Sequence, residues 1–196
     1  MFFDLICFAF SGFFMKLSDE FMDRKENKLM AIITGLLCVI FTILVSITNG
    51  DATCIFLSIL IGTFLAGKVD TINHVLSALL LIAILLYVGV PSFGWYCLLI
   101  CIIANYIDEK GNDKSDEIEE KENEKKGVLY NFFKYRSTLK VVVLIFSLLG
   151  LLKLLYPNSI LGGLLVFAPV TFIYMLAFDL SYEFANLIFD RIYNFL

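Results

Sequence analysis

Three prolines, one histidine and one tryptophan are spread over 196 residues. Each scarcity narrows what the chain can be. With a single histidine and no CxxC pair among five cysteines, a Cys/His zinc site is not expected. Cys97 and Cys101 share a helical face and read as small polarizable packing residues. No basic patch with interleaved aromatics occurs, so nucleic acid is not an expected partner. The N-terminal run "MFFDLICFAFSGFFMK" lacks a positive segment ahead of its apolar stretch and lacks a small-residue cleavage site. It is therefore expected to be an uncleaved first span. Charge is also sparse. Only 17% of residues are Asp, Glu, Lys or Arg, and 60% are hydrophobic, against about 25% and 45–50% for a soluble domain.

What is present is long apolar sequence, cut into pieces. Runs fall at 2–17, 29–48, 52–66, 74–90, 93–107, 139–156 and 160–178, with a weaker one at 182–196 interrupted by Glu183, Asp190 and Arg191. A run without charge cannot lie half in water, so lipid is the solvent it implies. A helical span needs roughly 17–25 residues, and several runs sit near or below that limit. The breakers "NGD", "GVPSFG" and "YPNS" separate them. The expected fold is all-α, a single polytopic transmembrane bundle of seven spans plus an eighth helix that spans or lies at the interface. Residues 108–138, which include "DKSDEIEEKENEKK", are expected to form a solvated, charged connection with some helical capacity.

Alternating spans place every Lys and Arg except Lys153 and Arg191 near one side. The positive-inside rule makes that side cytosolic. A cell-membrane location follows, with the N-terminus outside and the 108–138 loop in the cytosol.

The same side collects carboxylates. "KLSDEFMDRKENK" carries Asp19, Asp23 and Asn27 at steps of four, and "NYIDEKGNDKSD" carries Asp108, Asn112 and Asp116 at the same steps. Steps of four rotate by only about 40° on a helix, so each set forms one stripe. Each stretch follows a span, and four spans separate them. "GKVDTINH" adds Lys68, Asp70 and His74 at a cytosolic turn, and "FDLSYEF" adds Asp179 and Glu183. If the fourth span starts near Asp70, then Asp70 and His74 are neighbours one turn apart. Carboxylates at a membrane border cost free energy at depth and so point to function. Two facing stripes would suit Mg²⁺, which takes one or two carboxylates plus phosphate oxygens and water. Such an ion stabilises charge developing on a departing diphosphate. Lys68 would add a point charge.

These two motifs resemble those of the UbiA-type intramembrane prenyltransferase superfamily. "NYIDEKGNDK" is similar to the family's second Asp-rich motif, with Asn112 where the family has Asp. "LSDEFMDRKENK" is similar to its first. The resemblance implies a cytosol-facing site for an isoprenoid or other lipid diphosphate. Asp19, Asp23 and Asp108 would ligate Mg²⁺, with Lys68, Asn112, Asp70, His74 and Asp179 on the substrate side. Two other classes fit the same residues. A small transporter would use Asp70, His74, Asp179 or Glu183 as proton or cation sites. A non-catalytic subunit would bring short spans to a membrane-complex partner. The plainest alternative assigns border charges to topology and helix dipoles, worth about 0.3–1 kcal/mol each.

Overall fold

A computed structural model describes all residues except 121–125, 159–162 and 196. Among the described residues the regular structure is all helical, with eight α-helices and no strand: α1 (Phe2–Asp23), α2 (Lys28–Ser46), α3 (Gly50–Ala66), α4 (Ile72–Val88), α5 (Trp95–Glu120), α6 (Val128–Lys134), α7 (Ser137–Leu155) and α8 (Thr171–Phe195). Three of them, α2, α7 and α8, are long and apolar enough to cross a membrane, whereas α3 and α4 are apolar but 17 residues each.

The expected spans at 160–178 and 182–196 are corrected. Residues 164–168 carry no helix, and a single helix, α8, runs through the charges that seemed to divide them. Ala168 precedes Pro169, which disfavours helical backbone at Ala168, and Pro169 lacks the N–H an interior helical residue must donate. A second correction concerns the connection at 108–138. The α5 helix continues through "DEKGNDKSDEIEE" to Glu120, and α6 follows within that connection. Hydropathy marks where lipid ends. It does not mark where backbone hydrogen bonding ends, and no breaker stands at Asp108.

The chain divides into two compact units. The first comprises Met1–Thr53, Val69–Ser92 and Ile173–Leu196. Its core joins Leu17 and Phe21 of α1, Ala31 of α2, and Ala185 and Phe189 of α8. Polar ties join α1 and α2 to each other and to α4. Asn73 donates to Ser18 Oγ at 2.8 Å, Ser18 donates to the Ala31 carbonyl at 2.8 Å, and Thr42 donates to Ser11 Oγ at 3.1 Å. Small hydroxyl residues that pair between close helices are a usual device where lipid supplies no hydrophobic drive.

The second unit comprises Cys54–Lys68 and Phe93–Phe172. The polar end of α5 and α6 form an antiparallel hairpin whose pairs step in order. Glu119 meets Lys126 and Lys134, Ser115 donates to the Tyr130 carbonyl, Gly111 accommodates the Phe133 ring, Glu109 and Asn112 meet Arg136, and Asp108 meets Thr138. At the other end of the unit, the non-helical stretch 164–168 lies against α5 and α7. The Leu164 carbonyl accepts from Lys153 Nζ at 2.7 Å, and the Leu165 carbonyl accepts from Cys97 Sγ at 3.4 Å. Irregular backbone in an apolar medium persists only when protein covers it.

Gly150 permits that cover, because a Cβ there would overlap the Phe167 carbonyl oxygen. Gly150→Ala is expected to destabilise the protein by about 1–3 kcal/mol through overpacking. Thermal unfolding in detergent would read this as a lowered midpoint, and an unchanged midpoint would refute the close approach.

Candidate functional site

Two polar clusters stand at helix ends, one in each unit. In the first unit, α1 carries its charges past the apolar run because nothing breaks the helix before Asp23. Asn27 does not extend the Asp19–Asp23 stripe. It lies beyond the end of α1 and caps α2, accepting from the Met30 backbone N–H at 3.1 Å. Glu20 is buried and held by Lys16 at 2.7 Å and Arg24 at 3.0 Å. Arg24 also forks onto both carboxylate oxygens of Asp190 of α8, at 3.0 and 3.1 Å. That outer pair is exposed and contributes little by itself. The buried Glu20 requires its cations, because an unpaired charge in low dielectric is costly.

Asp19 faces the other way. Its Oδ1 lies 2.9 Å from Nε2 of His74, one turn into α4, and its Oδ2 accepts from the Tyr182 hydroxyl of α8 at 3.2 Å. Three helices thus meet on one carboxylate. The imidazole side chain is 36% exposed and the Asp19 side chain 22%, so the pair borders solvent. Lys16 Nζ stands 5.2 Å from the centre of the Tyr182 ring, a cation–π contact that orients the phenol. Asp23 is one helical turn beyond Asp19 on the same stripe. Burial, the Asp19 charge and, less strongly, Glu20 push its carboxyl above the usual range, against the opposing pull of His74 and Lys16.

The second cluster has a different character. Asp108 is fully buried, and its two oxygens accept the Thr138 and Leu139 backbone N–H groups at 2.8 and 2.7 Å. It therefore caps α7 from another helix. Burial raises the carboxyl above its usual value, even though these N–H groups and Arg136 pull it down. Arg136 sits at φ 43°, a left-handed backbone angle, and its guanidinium donates to Glu109 Oε1 at 3.0 Å and Asn112 Oδ1 at 3.1 Å. Lys68 bridges Glu109 at 3.1 Å and Asp113 at 2.7 Å. The Asp113 carboxyl lies below the usual range: burial works to raise it, but Lys68 and Lys110 outweigh that.

Of the residues singled out from the sequence, Asp19, Asp23 and His74 come together. Asp70 is exposed and precedes the α4 cap, so it does not share a helical turn with His74. Asp179 is half-buried on α8, in the first unit. Asp108, Asn112 and Lys68 belong to the second unit, where each has the partners just described. Sequence reasoning missed Tyr182, Glu20, Glu109 and Arg136. The repeated Asp-Glu pair was the available signal for the two glutamates, since the second member of each pair faces inward. Nothing near Tyr182 marked it, because its partner is 163 positions away.

Among the described residues, no group of three or more His, Cys, Asp and Glu side chains is arranged to hold a metal ion. Two carboxylates such as Asp19 and Asp23 still fit the usual protein share of one Mg²⁺ site, in which phosphate and water complete the octahedron. Asp108 does not fit that role, with both oxygens turned to backbone N–H groups. Neither family models, curated proteins nor solved structures show a match to this chain.

Two expectations follow from the second cluster. Asp108→Ala removes the acceptors for the Thr138 and Leu139 backbone N–H groups and is expected to cost about 0.5–2 kcal/mol, the range for a lost helix cap. Hydrogen exchange at Thr138 and Leu139 would quicken in step with a lowered melting midpoint. The Glu119 carboxyl is held at about 2 by hydrogen bonds from Lys134 and Lys126. A carboxyl with a lowered folded value adds stability above its ordinary range and loses it as pH falls toward that folded value. The difference in melting midpoint between the native protein and Glu119→Gln should therefore shrink from pH 5 to pH 2, and high salt should shrink it too.

Proposed function

We propose that this chain is a multi-pass membrane protein that binds a lipid-linked phosphate or diphosphate at the polar end of the first unit. Asp19 and Asp23 would supply oxygen ligands to one Mg²⁺, and that ion would neutralise phosphate charge. His74 and Tyr182 would hold Asp19 in place. The single observation carrying this reading is the Asp19 carboxylate, fixed from two other helices at 2.9 and 3.2 Å with a second carboxylate one turn away. Charged groups so placed at the edge of apolar helices suit an amphiphile, with a polar head at the cluster and a tail among the helices. The resemblance to the prenyltransferase superfamily supports the first motif as a ligand set. The second motif supports it less, because Asp108 and Asn112 have structural partners.

A second reading is favoured by one observation. The Asp23 carboxyl is raised by burial and by Asp19, and it adjoins a carboxylate–imidazole pair. Such a set places groups that can take up and release protons side by side at the edge of apolar helices, as a proton-coupled transporter requires.

The two readings separate in one set of measurements on purified protein. The phosphate reading expects a Mg²⁺-dependent rise in melting midpoint with a polyprenyl diphosphate, lost in Asp19→Asn and Asp23→Asn. Absence of that rise, together with pH-driven flux in proteoliposomes that Asp23→Asn abolishes, would replace it by the transport reading.

A further inference from the structure

The interior of the first unit holds a line of polar side chains that runs along α1. On α1, Asp4, Ser11 and Ser18 recur at steps of seven, which turn by only about 20° and so share one face. On α2, Cys38, Thr42 and Ser46 follow at steps of four on the buried side of the helix. Ser11, Ser18, Thr42, Ser46 and Asn73 are each 3% exposed or less. The two helices run antiparallel, since Ser18 meets Ala31 and Ser11 meets Thr42. Thr42 Oγ1 also lies 4.0 Å from Cys38 Sγ. Ser11 and Ser18 are about 10 Å apart along the helix axis. Cys38, one turn before Thr42, falls between them, and Ser46 falls one turn beyond Thr42, toward Asp4. Polar groups therefore recur about every 5–6 Å. An acid stands at each end. Asp19, next to Ser18, joins His74 and Tyr182. Asp4 accepts from the Tyr174 hydroxyl and pairs with the Met1 amino group at 3.3 Å.

Helix packing accounts for the paired hydroxyls but not for two atoms in this line. Ser46 Oγ and Asn73 Oδ1 are buried and have no hydrogen-bond partner among the described residues. Only one half of the Asn73 amide is occupied: its N–H donates to Ser18 Oγ, whose own proton goes to the Ala31 carbonyl. Leaving a buried polar atom unmet is costly, and a tie between helices needs both of its members. These two atoms are where an entering water gains a hydrogen bond that the protein leaves unmade. One water spans polar atoms about 5–6 Å apart, the spacing along the line. We propose that this line is a proton path through the first unit, completed by water at Ser46 and Asn73 and running between Asp4 and Asp19. Each hydroxyl or water accepts a proton on its oxygen as it passes its own to the next. One proton enters at one carboxylate and one leaves at the other, and only O–H bonds change. Asn73 orients water and relays nothing. The wall formed by α2 is long and apolar enough to cross a membrane, and membrane pumps carry protons on such relays. The inference rests on the proton-transfer reading of Asp19, Asp23 and His74, to which it adds a route.

The test uses the full chain in proteoliposomes that enclose a pH-sensitive dye, with a potassium gradient and valinomycin supplying the driving force. The parent protein is expected to pass protons several-fold faster than protein-free vesicles. Ser46→Ala removes a hydroxyl that bonds to nothing in the protein, so its melting midpoint should stay the same or rise. A packing role predicts unchanged flux in that variant, whereas the path predicts flux cut several-fold. Thr42→Val keeps the shape of the side chain without its hydroxyl and should cut flux likewise, and Thr42→Ser should restore it. Flux that Asp23→Asn abolishes but Ser46→Ala and Thr42→Val leave intact would overturn this route and keep proton exchange at Asp23. Flux no faster than in protein-free vesicles would overturn the route and the transport reading together.

Discussion

A helix that begins where water is excluded presents N–H groups that no preceding turn can accept. That constraint governs the polar architecture of this protein. The start of α7 is half-buried, with Leu139 fully buried, and the preceding residue, Arg136, offers no side-chain cap. Asp108 supplies the acceptors from α5, thirty positions earlier. Once Asp108 is committed there, α5 and α7 are locked in register at their polar ends. Arg136 then reaches Glu109 and Asn112, and Lys68 reaches Glu109. The hairpin of α5 and α6 is anchored at its base by this one carboxylate.

The first unit answers the same constraint differently. Its buried Glu20 is neutralised along its own helix, by Lys16 one turn before and Arg24 one turn after. Asp19, on the adjacent face, has no such local partner and is met from α4 and α8. A carboxylate satisfied locally stiffens one helix. One satisfied from two other helices is a convergence point, and its neighbour Asp23 lies one turn further along the same stripe. This contrast is why the two Asp-rich stretches, alike in spacing, support different roles. The acids of the second are absorbed by a helix cap and lysine pairs, and those of the first border solvent with a titratable imidazole alongside.

Much of the fold was legible from hydropathy and breakers. The helical class, the apolar runs and the clustering of polar residues at their ends all follow from the cost of placing charge in lipid. The misreadings share one physical cause. Asp108 and Asp179 were read as the ends of apolar spans because they are polar, yet α5 and α8 pass through them without interruption. Helix continuity depends on backbone donors and acceptors, and neither an aspartate nor an arginine removes one. Proline does, and Pro169 accordingly precedes the start of α8 in a run that reads as uniformly apolar.

The amino-acid sequence by itself determined that this is a helical protein suited to lipid, with carboxylate stripes at the ends of α1 and along α5, because composition and periodicity act locally. Only the tertiary structure decided which carboxylates close helix ends and which stand together. Asp19 pairs with His74 and Tyr182, and Asp108 pairs with the start of α7, across 55, 163 and about 30 positions of chain. Contacts at such separations are set by how helices pack, and a spacing pattern within one helix carries no information about the partner it will meet.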